Sequence, residues 1–257
     1  MREYFAQQEF DLNDFSVVYQ PIYDIRTSEV EKIEALLRWT KSSDVEAFIR
    51  HFESTGQINT LTLFVVESVC ADLKKINMAW HHPIVAINFA PGALANSTIV
   101  SKFIQTLASH GIPPHWIEIE ITETWQLLTP LIIEGAFTFV QNGFKISLDD
   151  FGVGSTSLSC LTKLPVGVLK IDRSFISRIN QCFVTRSILS AIAHLQHEMG
   201  IGCIAEGIET QEQEDFMERL GINHAQGFMF SKPLVLNDLI RLLLKYKNME
   251  MLAWAQI

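Results

Sequence analysis

Hydrophobic and polar positions alternate on two length scales along this chain. Short apolar runs of strand character recur as SVVYQPIYDI, VEKIEALLRW, PIVAINFA, WIEIEIT, KISLDD, VLKID, IGCIAEGI and HAQGFMF. Between most of them lie longer stretches whose apolar residues return at the helical period: LTLFVVESVCADLKK, STIVSKFIQTLASH, TPLIIEGAFTFVQ, VTRSILSAIAHLQHEM and TQEQEDFMERL. Strand and helix in alternation predict a parallel sheet. The first two strands are the exception. Little more than RTSE joins them, too short for a parallel crossover, so they are expected to pair antiparallel. The reading is an α/β fold, a modified (β/α)8 TIM-like barrel with one antiparallel strand. A doubly wound open sheet is the rival, but no G-x-G-x-x-G follows the first strand. The C-terminal NDLIRLLLKYKNMEMLAW reads as an amphipathic helix packed on the domain, a partner-binding helix being the alternative. No Pro/Gly/Ser-rich linker or short repeat breaks the pattern, so residues 1–257 read as one domain, with its motif-bearing core about 17–246.

Parallel strands covered on both faces should be nearly continuous apolar runs. Here a polar residue interrupts most of them, usually near the C-terminal end: Glu34, Asn88, Glu118 and Glu120, Asp149, Lys170, Glu206 and Gln226. In a barrel those ends meet at one mouth, where reactive groups gather. The period-2 pattern of IEIEIT places Ile117, Ile119 and Ile121 toward the outer helices and Glu118, Glu120 and Thr122 toward the interior. Of the two glutamates Glu120 lies nearer the mouth and is the better ligand candidate.

Glu34, Glu120, Asp149, Asp150 and Glu206 are five carboxylates facing one ammonium, Lys170. Crowded ionised carboxylates are unfavourable without compensation. Two divalent cations would cancel the excess. An oxygen-rich set with one Asn suits hard ions, Mg²⁺ or Mn²⁺, better than zinc, which prefers His and Cys. His224, beside Gln226, reads as structural.

The adjacent pair Asp149 and Asp150 raises its own problem, because neighbours on a strand point to opposite faces. The expectation is that the strand ends at Asp149, and that Gly152 and Gly154 allow a turn returning Asp150 to the same site, with Asp149 bridging two cations. The bland alternative is that Asp150 caps the turn.

Composition narrows the rest. With 48% hydrophobic and 19% charged residues the chain can bury a large core. A net charge of -9 argues against general DNA or RNA binding, while leaving room for a small anionic ligand beside bound cations. Cys70, Cys160, Cys182 and Cys203 lack C-x-x-C spacing and read as reduced, buried thiols, fitting the cytoplasm. The acidic start has no apolar signal-peptide core, and no apolar run approaches the ~20 residues of a membrane span.

The ordered set EALLRW (Glu34 to Trp39), INFAP with Asn88, EITE (Glu120 to Glu123), DDFGVGSTSLSCLTKLP, LKIDRSF, AEGIET and QGFMFSKPL resembles EAL-domain proteins, from about Tyr19 to Pro233. The resemblance implies a single EAL domain that hydrolyses cyclic di-GMP to linear pGpG with Mg²⁺ or Mn²⁺, two per site. It implies that Glu34, Asn88, Glu120 and Asp149 hold one metal, and that Asp149, Asp150 and Glu206 hold or orient the second and its water. Lys170 would touch that water or the phosphate. Gln20, Arg38 and Gln226 would be substrate-binding, Arg38 through the bidentate fit of guanidinium to phosphate. Glu123 and Glu209 would be supporting residues for the loop after Asp150. A homodimer through that loop and neighbouring helices is also implied.

The sequence departs from the family pattern at Ser155 and Thr156 in the loop, at Ala90, at Lys32 where a glycine usually stands, and in KSSDVEAFIRHFE, which is shorter and poorer in proline. Every expected ligand is intact. The reading is therefore a two-metal phosphodiesterase in which Glu206 or Lys170 manages the proton of the attacking water, with Asp150 beside them. A catalytically silent module that binds cyclic di-GMP or a protein is the alternative. A Schiff-base enzyme using Lys170 would leave the carboxylates unexplained. No sensory, receiver or GGDEF-like segment is legible.

Overall fold

A computed structural model describes residues 11–41, 44–122, 129–153 and 157–254. Its strands are β1 (Phe15–Asp24), β2 (Glu29–Trp39), β3 (Val85–Asn88), β4 (Ile117–Thr122), β5 (Lys145–Phe151), β6 (Val168–Ile171), β7 (Gly202–Glu206) and β8 (His224–Gln226). They close a barrel in sequence order. β1 is antiparallel to both its neighbours, β2 and β8, and every other adjacent pair is parallel. The short first connection thus fixes the direction of one strand, as expected.

The helices are α1 (Val45–Thr55), α2 (Ile58–Ala79), α3 (Pro91–Leu94), α4 (Ser97–Ser109), α5 (Pro130–Gln141), α6 (Ser157–Leu161), α7 (Arg173–Ile176), α8 (Phe183–Met199), α9 (Gln211–Arg219) and α10 (Leu236–Trp254). The long ones match the periodic stretches. α1 and the three short helices α3, α6 and α7 were not expected from the pattern. In α1, Phe48 and Phe52 are one turn apart and pack with Phe15 and Trp39 in an aromatic cluster at the mouth; the Phe15 and Trp39 rings stack at 5.5 Å.

The principal core lies between the outer barrel face and the helices. Ile117, Ile119 and Ile121 point into it, as their alternation predicts, beside residues such as Phe103 and Phe139. The barrel interior is mixed. A small apolar plug of Ile22, Val168 and Ile204 fills part of it. Glu118 accepts a 2.8 Å hydrogen bond from Lys32 Nζ, both side chains being buried. Lys32 is therefore neutralised inside the barrel, and Glu118, the weaker of the two ligand candidates on β4, is engaged by it.

Three expectations need correction. HAQGFMF is a strand only over His224–Gln226, because Gly227 lies against the backbone of Ile208 and the chain turns there, Phe230 N–H donating to Gly227 C=O at 3.1 Å. β5 does not end at Asp149; it runs on to Phe151. Cys182 is only half-buried, because it caps the start of α8, whereas Cys70, Cys160 and Cys203 are buried; all four are free thiols. In α10, Leu239 and Leu243 are buried and Tyr246 meets Tyr23 edge-on, so this helix packs on the barrel. Among the described residues no helix is long and apolar enough to cross a membrane.

Candidate active site

Strand register assembles the site. Asn88 stands beside Glu120 across β3 and β4, Thr122 beside Asp149 across β4 and β5, Glu206 beside Gln226 across β7 and β8, and Gln20 opposite Glu34 across β1 and β2. Side chains level with one another on the same face must meet at one height in the barrel.

β5 places its two aspartates by a bulge. Leu148 pairs with Leu169 and Phe151 with Ile171, so Asp149 and Asp150 together oppose the single residue Lys170. Asp150 takes a φ of +54°, a left-handed conformation that Asp tolerates better than most residues. The bulge, and not a strand end, brings both carboxylates to one side.

Two groups of acids result. Glu34, Glu120 and Asp149 offer oxygens within 4.8 Å of one another, and so do Asp149, Asp150 and Glu206, with Asp149 common to both. Lys170 Nζ lies among them, 2.9 Å from Glu120 and Glu206, 3.2 Å from Asp149 and 3.3 Å from Glu34. The ammonium lies within ion-pair distance of all four carboxylates at once. It holds the acids by charge.

The amides supply the directional contacts. Gln226 Nε2 donates to Glu34 at 2.9 Å and to Glu206 at 2.7 Å. Asn88, at the exposed rim, donates through Nδ2 to Glu34 at 3.1 Å and to Glu120 at 3.3 Å. For Asn88 to serve a cation its amide must turn and present Oδ1.

Electrostatics follow from burial and crowding. Burial alone would depress Lys170, yet Asp149, Glu120, Glu206 and Glu34 push its pKa well above the ordinary lysine value. Burial, then Glu34, push Glu120 well up. Burial would raise Glu34 too, but Lys170 and the hydrogen bonds from Gln226, Glu120 and Asn88 bring it down. Asp149 is raised by burial, against the pull of Lys170. Glu206 is pushed up to about 8, by burial first, with Asp149 and Glu34 adding to it and Lys170 opposing. Such a cluster holds protons unless cations replace them.

The residues fit hard divalent cations. Gln226 Oε1 is buried without a hydrogen-bond partner, and the candidate ligands are almost all carboxylate oxygens.

A cavity of about 530 Å³ opens beside the acids, with Glu34, Asn88, Asp149, Asp150 and Arg38 on its wall. Arg38 is half-buried, donates to the Leu37 carbonyl at 2.8 Å, and has its pKa lowered by burial while Glu34 restores part of it. Arg50 and Glu53 of α1 also line the cavity. Glu53 is raised by burial and accepts a backbone hydrogen bond from Gly92. Sequence reasoning missed both, although the Phe48 and Phe52 spacing could have revealed the helix that carries them. Gln20 is buried and donates to the Ser231 carbonyl at 3.1 Å. His224 pairs with Glu31, away from the cluster, as a structural histidine. Glu209 is exposed on its side chain, while its N–H donates to Gln213 at 2.8 Å. Glu123, Gly154, Ser155 and Thr156 lie outside the described residues.

Comparison with known proteins agrees with this geometry. The chain matches the EAL domain family over residues 5–233. It is 32% identical over 238 residues to the cyclic di-GMP phosphodiesterase NbdA of Pseudomonas aeruginosa, covering 89% of this chain and 30% of that protein. The chain spans less than half the length of this and other curated relatives it matches, such as PdeN and PdeB of Escherichia coli, at 46% of each. The solved MucR phosphodiesterase in complex with c-di-GMP superposes with a TM-score of 0.82 at 28% identity, covering 93% of this chain and 99% of that one. The manganese and cyclic di-GMP complex of BlrP1 from Klebsiella pneumoniae has a TM-score of 0.78 at 25% identity, covering 89% of this chain and 58% of that one.

Proposed function

The chain belongs to the EAL domain family, and from that premise we propose that it is a metal-dependent phosphodiesterase that hydrolyses cyclic di-GMP to linear pGpG. The observation that carries the proposal is the pair of acid groups sharing Asp149. Glu34, Glu120, Asp149 and a turned Asn88 would hold one Mg²⁺ or Mn²⁺; Asp149, Asp150 and Glu206 would hold the other. When bound, the pair supplies an activated water at neutral pH and neutralises charge on the phosphate.

The remaining roles belong to the chain. Lys170, kept protonated by four surrounding carboxylates, is a fixed positive charge and a poor base. Glu206, a carboxylate at the mouth that accepts from Gln226 Nε2 at 2.7 Å, is the better matched of the two to take a proton. Between the two candidates this favours Glu206 as base, oriented by Gln226. Arg38 lines the cavity at the acids and supplies a guanidinium for a non-bridging phosphate oxygen. Gln20 backs Glu34 from the adjacent strand. A homodimer is part of the proposal: Leu131 and Phe137 of α5 and Leu158 of α6 are exposed apolar residues on the helices before and after β5.

The test is incubation with cyclic di-GMP and Mg²⁺ or Mn²⁺, with chromatography for pGpG. Metal-dependent product supports the proposal. Tight binding of the dinucleotide with no product transfers the protein to the silent-module reading.

A further inference from the structure

α7 follows β6, the strand that carries Lys170, and touches the two mouth segments that bear the outer acids. Gly152, two residues past Asp150, has a φ of +98°, and a Cβ added there would stand 2.8 Å from Phe175 Cε2 and 2.9 Å from Phe175 Cζ. Gly207, directly after Glu206, has a φ of +74°, and a Cβ added there would strike the Arg173 side chain at its Cβ. One glycine behind each carboxylate thus lies flat against the same helical turn.

That turn is itself anchored. Asp172 caps it, accepting from the Ser174 N–H at 2.9 Å. At its other end Gln213 Nε2 donates to the Ile176 carbonyl at 3.4 Å. The same Gln213 side chain accepts from the Glu209 and Thr210 N–H groups at 2.8 Å and 3.1 Å. α7 is therefore tied to the segment that follows Glu206, and its ring rests on the segment that follows Asp150.

We propose that α7 is the block that sets the spacing of Asp150 and Glu206, with Phe175 the positioning residue for the second cation. The inference rests on the two-cation reading of the cluster. The first group, Glu34 and Glu120 with Asp149, takes its positions from laddered strands. The second group has Asp150 in a bulge at positive φ and Glu206 as the last residue of β7, where its pairing with Gln226 is the final rung of the ladder. Glycines at positive φ supply no stiffness of their own. The packing of Phe175 on Gly152 supplies it, in the way that outer contacts orient metal ligands elsewhere.

Two-site Mn²⁺ titration by electron paramagnetic resonance, on the full chain, tests this with Phe175→Ala and Phe175→Leu. The expected result is two sites in the unmodified protein, about tenfold or greater weakening of one site in Phe175→Ala with the other unchanged, and a smaller one-site loss in Phe175→Leu. Circular dichroism monitors folding; should Phe175→Ala not fold, the one-site loss in Phe175→Leu carries the test. Equal weakening of both sites, no change at either, or fewer than two Mn²⁺ in the unmodified protein overturns the proposal. Two intact Mn²⁺ sites without hydrolysis of cyclic di-GMP would overturn the functional reading and leave the role of α7 standing.

Discussion

Asp149 and Asp150 are consecutive residues of one strand, yet their carboxylates lie within 4.8 Å of each other. An unbroken strand would send them to opposite faces of the barrel wall. The extra residue in β5, which sets both opposite Lys170, and the φ of +54° at Asp150 remove that alternation. The bulge has two separable components, a carboxylate and a left-handed backbone.

Substitutions at Asp150 should separate them. Asp150→Asn keeps a residue tolerant of the left-handed region and removes the charge. We expect it to weaken the second Mn²⁺ site more than the first, with little loss of stability. Asp150→Ala should weaken that site and also destabilise the fold by about 1–2 kcal/mol, since Ala has no local hydrogen bond to offset its strain. Calorimetric titration and urea denaturation read the two effects. Equal loss at both cation sites in Asp150→Asn would remove Asp149 from its bridging position.

Much of this arrangement was legible in the sequence. Glu34, Asn88, Glu120, Asp149, Lys170 and Glu206 interrupt apolar strand runs, and an unexpected polar residue in a buried strand is a strong signal. The bulge was not legible, because a two-versus-one pairing depends on the partner strand, and nothing in KISLDD encodes where VLKID will align. The Lys32–Glu118 pair was hidden for a similar reason: the two lie 86 positions apart and only closure of the barrel brings them together. α1 carries a readable period in Phe48 and Phe52, but it is short and low in overall hydrophobicity and stands between a strand and a longer helix, so Arg50 and Glu53 are not singled out by the sequence.

Glu34 should be dispensable for folding and indispensable for turnover. It is one of four carboxylates around a single ammonium, so Glu34→Ala relieves like-charge crowding and leaves Lys170 compensated by three. We expect a circular dichroism spectrum like that of the unmodified protein and a fall in hydrolysis of more than about 100-fold, beyond the loss typical of an outer contact. Hydrolysis at the original rate would refute the assignment of Glu34 as a ligand.

Lys170 should behave in the opposite way. Lys170→Met leaves the buried acids without their internal counter-charge, and removing one partner of a buried ion pair costs about 3–5 kcal/mol. In the presence of a chelator at pH 8, urea denaturation should show a loss of that order. The loss should shrink at pH 5.5, where the acids take up protons, and on addition of Mn²⁺, which replaces the missing charge. A variant as stable as the unmodified protein at pH 8 under chelation would show that the acids need no compensation.

The same electrostatics predict how cations and pH trade against each other. Glu206 is raised by burial to about 8, above its ordinary value of 4.5, and Glu120 and Asp149 are raised as well. A carboxyl whose folded-state pKa is raised binds its proton more tightly folded than unfolded, so its contribution is fully present below the unfolded value and is lost as pH rises through the folded one. Glu34 is lowered and works against this at acid pH, while Lys170, raised above 10.5, stays protonated in both states across the window. The chelated protein should therefore lose stability between about pH 5 and pH 8.5, and cations, which compete with those protons, should restore it. We expect the rise in Tm on adding Mg²⁺ or Mn²⁺ to be larger at pH 8 than at pH 6, and cation binding at pH 7 to release roughly one proton per chain, measured by calorimetry in buffers of different ionisation enthalpy. A larger rise at pH 6, or binding without proton release, would mean that the acids are already ionised before the cations arrive.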